Sequence, residues 1–264
     1  MAEPILLCNA SNVRISEFVH IGRNVTFGPN CRNVDIGVGC FLGNDLYIDV
    51  EELSVGDYVT IHHGSVIHGK NCSIGHNCWF GHYTIIDSLG GLTRIGNNVG
   101  VGAHSQLWSH MSFGDRMKGC RWYNRKQLII EDDCWFVGHT IVTPIHAREK
   151  SMLMVGGVAV RDMEENHIYG GSPAKDITEH LGPQFSAEPA VEEKREMFDS
   201  LVAEFGGQGR DTSFIRIVEE LPPVDDRYTC FELETQTYRP RYTREEVEFI
   251  KFMLYEKAKF LPVH

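Results

Sequence analysis

Between Ile15 and Val142 a bulky apolar residue recurs at six-residue spacing, and few folds accept that period. The residues fall into triplets: Ile15, Ile21, Phe27; Ile36, Leu42, Ile48; Val55, Ile61, Ile67; Ile74, Phe80, Ile86; Ile95, Val101, Leu107; and Ile130, Phe136, Val142. Successive triplets start 21, 19, 19, 21 and 35 residues apart, so a regular coil is stretched slightly each time and once by a long insertion. A helix would place apolar residues three and four apart. An even period instead keeps all the marked side chains on one face of an extended chain. The fourth residue after a marker is usually small or medium-sized, and Cys31, Cys40, Cys78 and Cys134 all stand there. That second inward position assigns these cysteines to packing as small buried thiols, not to redox or metal chemistry. Of the 26 glycines, 23 lie in residues 1–182, where tight turns need them. Three short strands per coil, stacked in parallel as a triangular prism, satisfy every one of these features. Each coil then buries its face only against its neighbours, as in a solenoid.

These repeats resemble the hexapeptide-repeat family over roughly residues 13–180. The resemblance implies a mainly β fold, a left-handed parallel β-helix, and assembly as a homotrimer; the handedness comes from the resemblance and not from the spacing. Arg148 stands six residues after Val142, at a marker position, which predicts a distorted corner there. The repeat domain spans residues 1–182, and the period is broken over residues 183–264. There Val191, Met197, Phe198, Leu201, Val202 and Phe205 have helical spacing, with Gly206-Gly207 as the stop. Phe214 to Val218 and Tyr228 to Tyr238 read as short strands, and Thr243 to Glu246 as a capping box before a second helix. This extension is expected to be a small α/β cap over the open end of the solenoid, where bare strand edges would invite aggregation; binding a partner is the other use open to it.

One stretch leaves the repeat. After Leu107-Trp108-Ser109-His110-Met111 come residues 112–127, and the period resumes at Leu128. The insertion carries Arg116, Lys118, Arg121, Arg125 and Lys126 against Asp115, a local charge of +4 on a chain whose net charge is −11. It also holds Trp122 and Tyr123. A cationic, aromatic loop leaving a rigid scaffold suits binding. Pairing with the acidic surface of a neighbouring subunit is the other use open to it.

Ser109-His110, the insertion, and Ile130-Glu-Asp-Asp-Cys-Trp135-Phe-Val-Gly138-His139 are similar to the catalytic stretch of the galactoside and maltose acetyltransferases. Met154 to Asp162, followed by Tyr169-Gly-Gly-Ser-Pro-Ala-Lys175, is similar to that family's closing coil and its Gly-x-Pro-Ala-Lys/Arg signature, which lies beside bound coenzyme A. The resemblance implies an acyl-CoA-dependent acyltransferase, an acetyltransferase, that modifies a hydroxyl or amine of a sugar or other small polar acceptor. Acetyl-CoA or a related acyl-CoA would be co-substrate, with no metal. It makes His110 the general base and the Gly138 N–H the oxyanion donor. Trp135 would pack near the acyl arm, with Gly156, Arg161 and Lys175 along the coenzyme. His82 and Trp108 fall on the acceptor side, Phe80 standing where the galactoside enzymes have an Asn.

The residue types suit the chemistry. A neutral imidazole, with an ordinary pKa near ~6.5, can take the acceptor proton as attack proceeds. A fixed N–H can receive the charge on the tetrahedral intermediate. The matched motif offers no partnered Ser or Cys nucleophile, which favours direct transfer. His104 and His139 share the repeat position of His110, three residues after a marker; only His110 stands directly before the insertion, 25 residues ahead of Trp135.

Two rival classes remain open. Val55 to Gly69, with His63 and His68 five apart, resembles the zinc-binding segment of the gamma-class carbonic anhydrases. Asp49 stands about where a third histidine is expected, so that site would be altered. A metal-free cluster of histidines at a trimer interface is the other meaning of this segment. A non-catalytic β-helix scaffold is the third class, and it predicts no coenzyme binding.

The acidic balance argues against general nucleic-acid binding, which needs a basic face. No run approaches the ~20 apolar residues of a membrane span. Met1 to Cys8 has no basic lead-in and reads poorly as a signal peptide, so a cytoplasmic location with reduced cysteines is expected. The glycosylation patterns at Asn9 and Asn24 then carry little weight.

Overall fold

The computed structural model describes residues 6–8, 12–223, 227–254 and 257–263. The Asn9 pattern and most of the Met1 to Cys8 lead lie outside the described residues. The chain forms two compact units, Met1–Ser186 and Ala187–His264.

The first unit is a parallel β-solenoid, and its register is the six-residue period made visible. Ile15, Ile36, Val55, Ile74, Ile95 and Ile130 stack on one face. Ile21, Leu42, Ile61, Phe80, Val101 and Phe136 stack on the second. Phe27, Ile48, Ile67, Ile86, Leu107 and Val142 stack on the third. From Phe27 onward every one of these side chains is buried, because an even period never turns a marker outward.

The coil after Val142 corrects one expectation. Ile130, Phe136 and Val142 pair with Ala147, Leu153 and Ala159, so this coil is one residue short of 18 and the marker is Ala147, not Arg148. Ala147 is fully buried, and Arg148 turns outward to Glu164 at 2.9 Å. The corner is shortened rather than distorted.

The second inward positions are likewise buried, and their polar atoms are satisfied by the next coil. The thiols of Cys31, Cys40, Cys78 and Cys134 donate to the carbonyls of Ile48, Gly56, Gly96 and Arg148 at 3.3, 3.2, 3.0 and 3.1 Å. Burial pushes the Cys134 thiol up to about 11, so it stays protonated and inert as a nucleophile.

The three corners differ. Between the third and first faces, three coils do not turn sharply; Tyr47–Val55, Val66–Ile74 and Ile85–Ile95 run through as single strands. Two coil faces thereby merge into a 12-stranded sheet, while the second face forms a separate 9-stranded one. In the next coil this corner is where residues 112–127 leave the solenoid.

In the second unit, the helix Val191–Gly207 packs Phe198 and Phe205 inward and extends through the two glycines expected to end it. A four-stranded sheet includes Ile215–Val218, Thr229–Glu232 and Thr237–Arg239, and a second helix spans Arg244–Leu254. Glu246, expected in a capping box, is buried. It accepts the Thr229 hydroxyl at 2.6 Å and the backbone N–H groups of Arg241 and Tyr242. Among the described residues no helix is long and apolar enough to cross a membrane.

Candidate active site

The merged corner builds the site. Ile85–Ile95 pairs with Val66–Ile74 in register except between Ser88 and Leu92, where Leu89-Gly90-Gly91 bulges out. A bulge redirects a strand and re-aims its neighbours, which is why bulges gather beside functional sites. Here it accepts the chain of the following coil as that chain leaves the prism. The Gly90 N–H donates to Ser109 Oγ at 2.9 Å, and a Cβ at Gly90 would sit 1.9 Å from the Ser109 carbonyl oxygen. Only glycine permits this approach.

Asp87, immediately before the bulge, is fully buried. Its Oδ1 accepts the Ser109 hydroxyl at 2.6 Å, the Ser109 N–H at 3.0 Å and His110 Nδ1 at 2.8 Å. Its Oδ2 accepts the Leu89 N–H at 3.2 Å and lies 3.7 Å from His68 Nε2. Burial alone would raise the pKa of Asp87, but the donors from Ser109, His110 and Leu89 outweigh it and hold the carboxyl below its ordinary value. An ionised carboxylate can only accept, so Nδ1 of His110 carries the proton and Nε2 of the neutral ring keeps its lone pair. The edge of Trp108 meets both imidazoles, with centroids 5.9 Å from His110 and 6.4 Å from His68. The His110 ring is part-buried, leaving one side open.

From His110 the insertion departs as an antiparallel hairpin: His110–Ser112 pairs with Tyr123–Arg125, and a 3₁₀ turn at Arg116–Lys118 caps it. Phe113, Met117 and Trp122 are largely exposed.

The other site residues expected from the sequence lie elsewhere on the prism. Arg161 follows the third-face strand Val158–Ala159, on the edge of His110, and Lys175 pairs with Gly170 on the second-face sheet; both line, with Tyr169 and Ala174, a cavity of about 270 Å³ in the closing coils. Neither forms an ion pair among the described residues, so both are available to phosphate groups. Gly138 lies between the strands Trp135–Phe136 and Ile141–Val142, at the corner joining second and third faces. Its carbonyl accepts the Gly156 N–H at 3.0 Å, so these two glycines stack. Trp135 is half-exposed on the second face, in register with Gly100 and Met152. Trp108 adjoins His110, but His82 occupies the corner of Gly138. Within one chain, then, His110 and Trp108 belong to one edge, and Gly138, Gly156 and His82 to another.

His82 joins His62 and His63, the ligand atoms of the three lying within 4.8 Å of one another. Their rings form a stack, with centroids 4.6 Å apart for His62–His82 and 5.1 Å for His63–His82. His63 Nδ1 accepts the Asn44 N–H at 2.6 Å, which puts the His63 proton on Nε2. A metal at Nε2 would have to displace that proton. Burial, and then the neighbouring His82 and His63, hold the His62 ring below its ordinary pKa. His68 is not part of this group. It lies at the far end of the third-face strand, beside Asp87. Within one chain, His63 and His68 therefore lie on different edges, as Gly138 and His110 do.

Asp87 was not among the residues singled out from sequence. Its 23-residue distance from His110 conceals a contact made by coil register. The available signal was the Gly90-Gly91 pair inside a strand, which marks a bulge or a close backbone approach.

No family model matches the chain. It is 27% identical over 169 residues to the bifunctional protein GlmU of Paraburkholderia xenovorans (strain LB400), a match covering 57% of this chain and 34% of that protein. The GlmU of Anaplasma marginale (strain Florida) is 35% identical over 110 residues, 38% of this chain and 24% of that one. The matches thus span only about a quarter to a third of these curated relatives. Among solved structures, the polysialic acid O-acetyltransferase OatWY superposes with a TM-score of 0.51 at 17% identity, covering 70% of this chain and 90% of that one. The inward register, the three-faced coil and this superposition together show a left-handed parallel β-helix, the fold that OatWY also has.

Proposed function

We propose that the protein is an acyl-CoA-dependent acyltransferase, an acetyltransferase, acting in the cytoplasm as a homotrimer on a hydroxyl or amine of a sugar or other small polar acceptor. The observation that carries this reading is the Asp87–His110 pair at the mouth of the hairpin, an imidazole held with its bare nitrogen outward. Nε2 takes the acceptor's proton as the acceptor oxygen or nitrogen attacks the thioester carbonyl carbon. Asp87 stabilises the imidazolium that forms, without itself taking the proton. The same imidazolium returns the proton to the departing thiolate, so transfer is direct and the base is regenerated. Because Gly138 and His110 lie at different corners of one chain, the oxyanion donor is the partner subunit's Gly138, and Trp135 and Gly156 come to the site by the same route. Arg161 and Lys175 would hold phosphates of the coenzyme, which suits two unpaired cations beside a cavity. Trp108 packs beside the base on the acceptor side, and His82 lies on the edge contributed by the partner.

The test has two parts. Acetyl-CoA should raise the melting temperature, since a ligand of the folded state stabilises it. Release of free coenzyme A thiol should then depend on an acceptor and on His110. A protein neither stabilised by acyl-CoAs nor active with them would be a scaffold.

A further inference from the structure

The hairpin beside His110 bears charges that the mechanism does not use. In an antiparallel pair, residues directly opposite share a face, as do residues two apart on one strand. His110 pairs with Arg125 and Ser112 with Tyr123, so Tyr123 and Arg125 stand on the ribbon face that bears the base. The Arg125 guanidinium lies 5.8 Å from the Tyr123 ring centroid, and Arg116 reaches the same ring at 5.0 Å. Lys118 approaches Asp115 at 3.9 Å, but Arg116, Arg121, Arg125 and Lys126 form no ion pair among the described residues. Two uncompensated cations over an exposed aromatic ring, with two more on the same insertion, are unusual on a chain of net charge −11. Guanidinium groups match carboxylate and phosphate oxygens in pairs, and exposed tyrosine offers a flat surface to a sugar ring.

From this geometry we infer that the acceptor is an anionic sugar, its oxyanion held by Arg125 and Arg116 over Tyr123 while a hydroxyl or amine of the same molecule meets His110. The inference rests on the acyltransferase reading and adds the acceptor's charge to it. Coenzyme phosphates are the competing anion, and they are assigned to Arg161 and Lys175, in the closing coils.

Thiol release from acetyl-CoA should be measured with matched probes: glucose against glucuronate and glucose 6-phosphate, and galactose against galacturonate. The acidic member should be preferred at least about tenfold in kcat/KM, the scale of one charge-assisted hydrogen bond. The carboxylate and phosphate arms distinguish which oxyanion is read. Arg125→Gln and Arg116→Gln, both at exposed positions, should each raise the acceptor KM about tenfold and leave the KM for acetyl-CoA unchanged. Equal use of neutral sugars, a rise confined to the acetyl-CoA KM, or acetyl-CoA binding with no acidic sugar accepted would overturn the inference while leaving the acyltransferase standing. Absence of any acetyl-CoA thermal shift would remove the acyltransferase reading, and this inference with it.

Discussion

At the scale of single residues, the two oxygens of Asp87 have different loads. Oδ1 carries both Ser109 donors and His110, while Oδ2 carries Leu89 and faces His68. Replacing His110 by Ala should lower kcat by about 10²–10⁴, the usual worth of a positioned base, with the acetyl-CoA thermal shift retained. Asp87→Asn keeps the shape but can present an N–H to Nδ1 and turn the ring to the wrong tautomer; a loss of at least ~10-fold in kcat should follow, with the acetyl-CoA KM little changed. The variant also has a signature in stability. The folded-state pKa of Asp87 is depressed, so its contribution is fully present above the unfolded pKa and is lost as pH falls through the folded one. Acid titration of the melting temperature should therefore fall more steeply in wild type than in Asp87→Asn at the acid end. Parallel curves would show that the carboxylate is not held as described.

At the scale of elements, the bulge at Leu89-Gly90-Gly91 and the exit of the hairpin are one construction. Gly90→Ala should destabilise by about 1–3 kcal/mol, the cost of forcing atoms into a filled space, and should lower activity by moving Ser109 and His110. An equal melting temperature for that variant would mean that the backbone yields freely there. The solenoid itself was legible because six is an even number: each marker from Phe27 to Val142 could be named without knowing any contact. Arg148 was misjudged because counting assumes a constant coil, and this one drops a residue to put Ala147 inward. Asp87 was hidden for the opposite reason, since nothing local about an aspartate reveals that a strand one coil away will deliver a histidine to it. The separation of His110 from Gly138 was legible in principle, one lying after a third-face marker and the other after a second-face marker. A motif match collapses that distinction, because it aligns residues along the chain and ignores the corner each one occupies.

At the scale of the whole molecule, the proposed site, divided between two edges, would need a second copy. Sedimentation should give about 90 kDa for three chains of 29.9 kDa each, and a monomer that transfers acyl groups at full rate would refute the shared site. The strands Tyr47–Val55, Val66–Ile74 and Ile85–Ile95 bear on how such a site can open. Because each continues around the edge as one strand, that edge cannot part unless the ladders of both adjoining faces are lost together. Amide protons in the ladders of these three strands, the Leu89-Gly90-Gly91 bulge excepted, should accordingly exchange only on global unfolding, and those of residues 112–124 far sooner, so that admission of the proposed acceptor would fall to the hairpin.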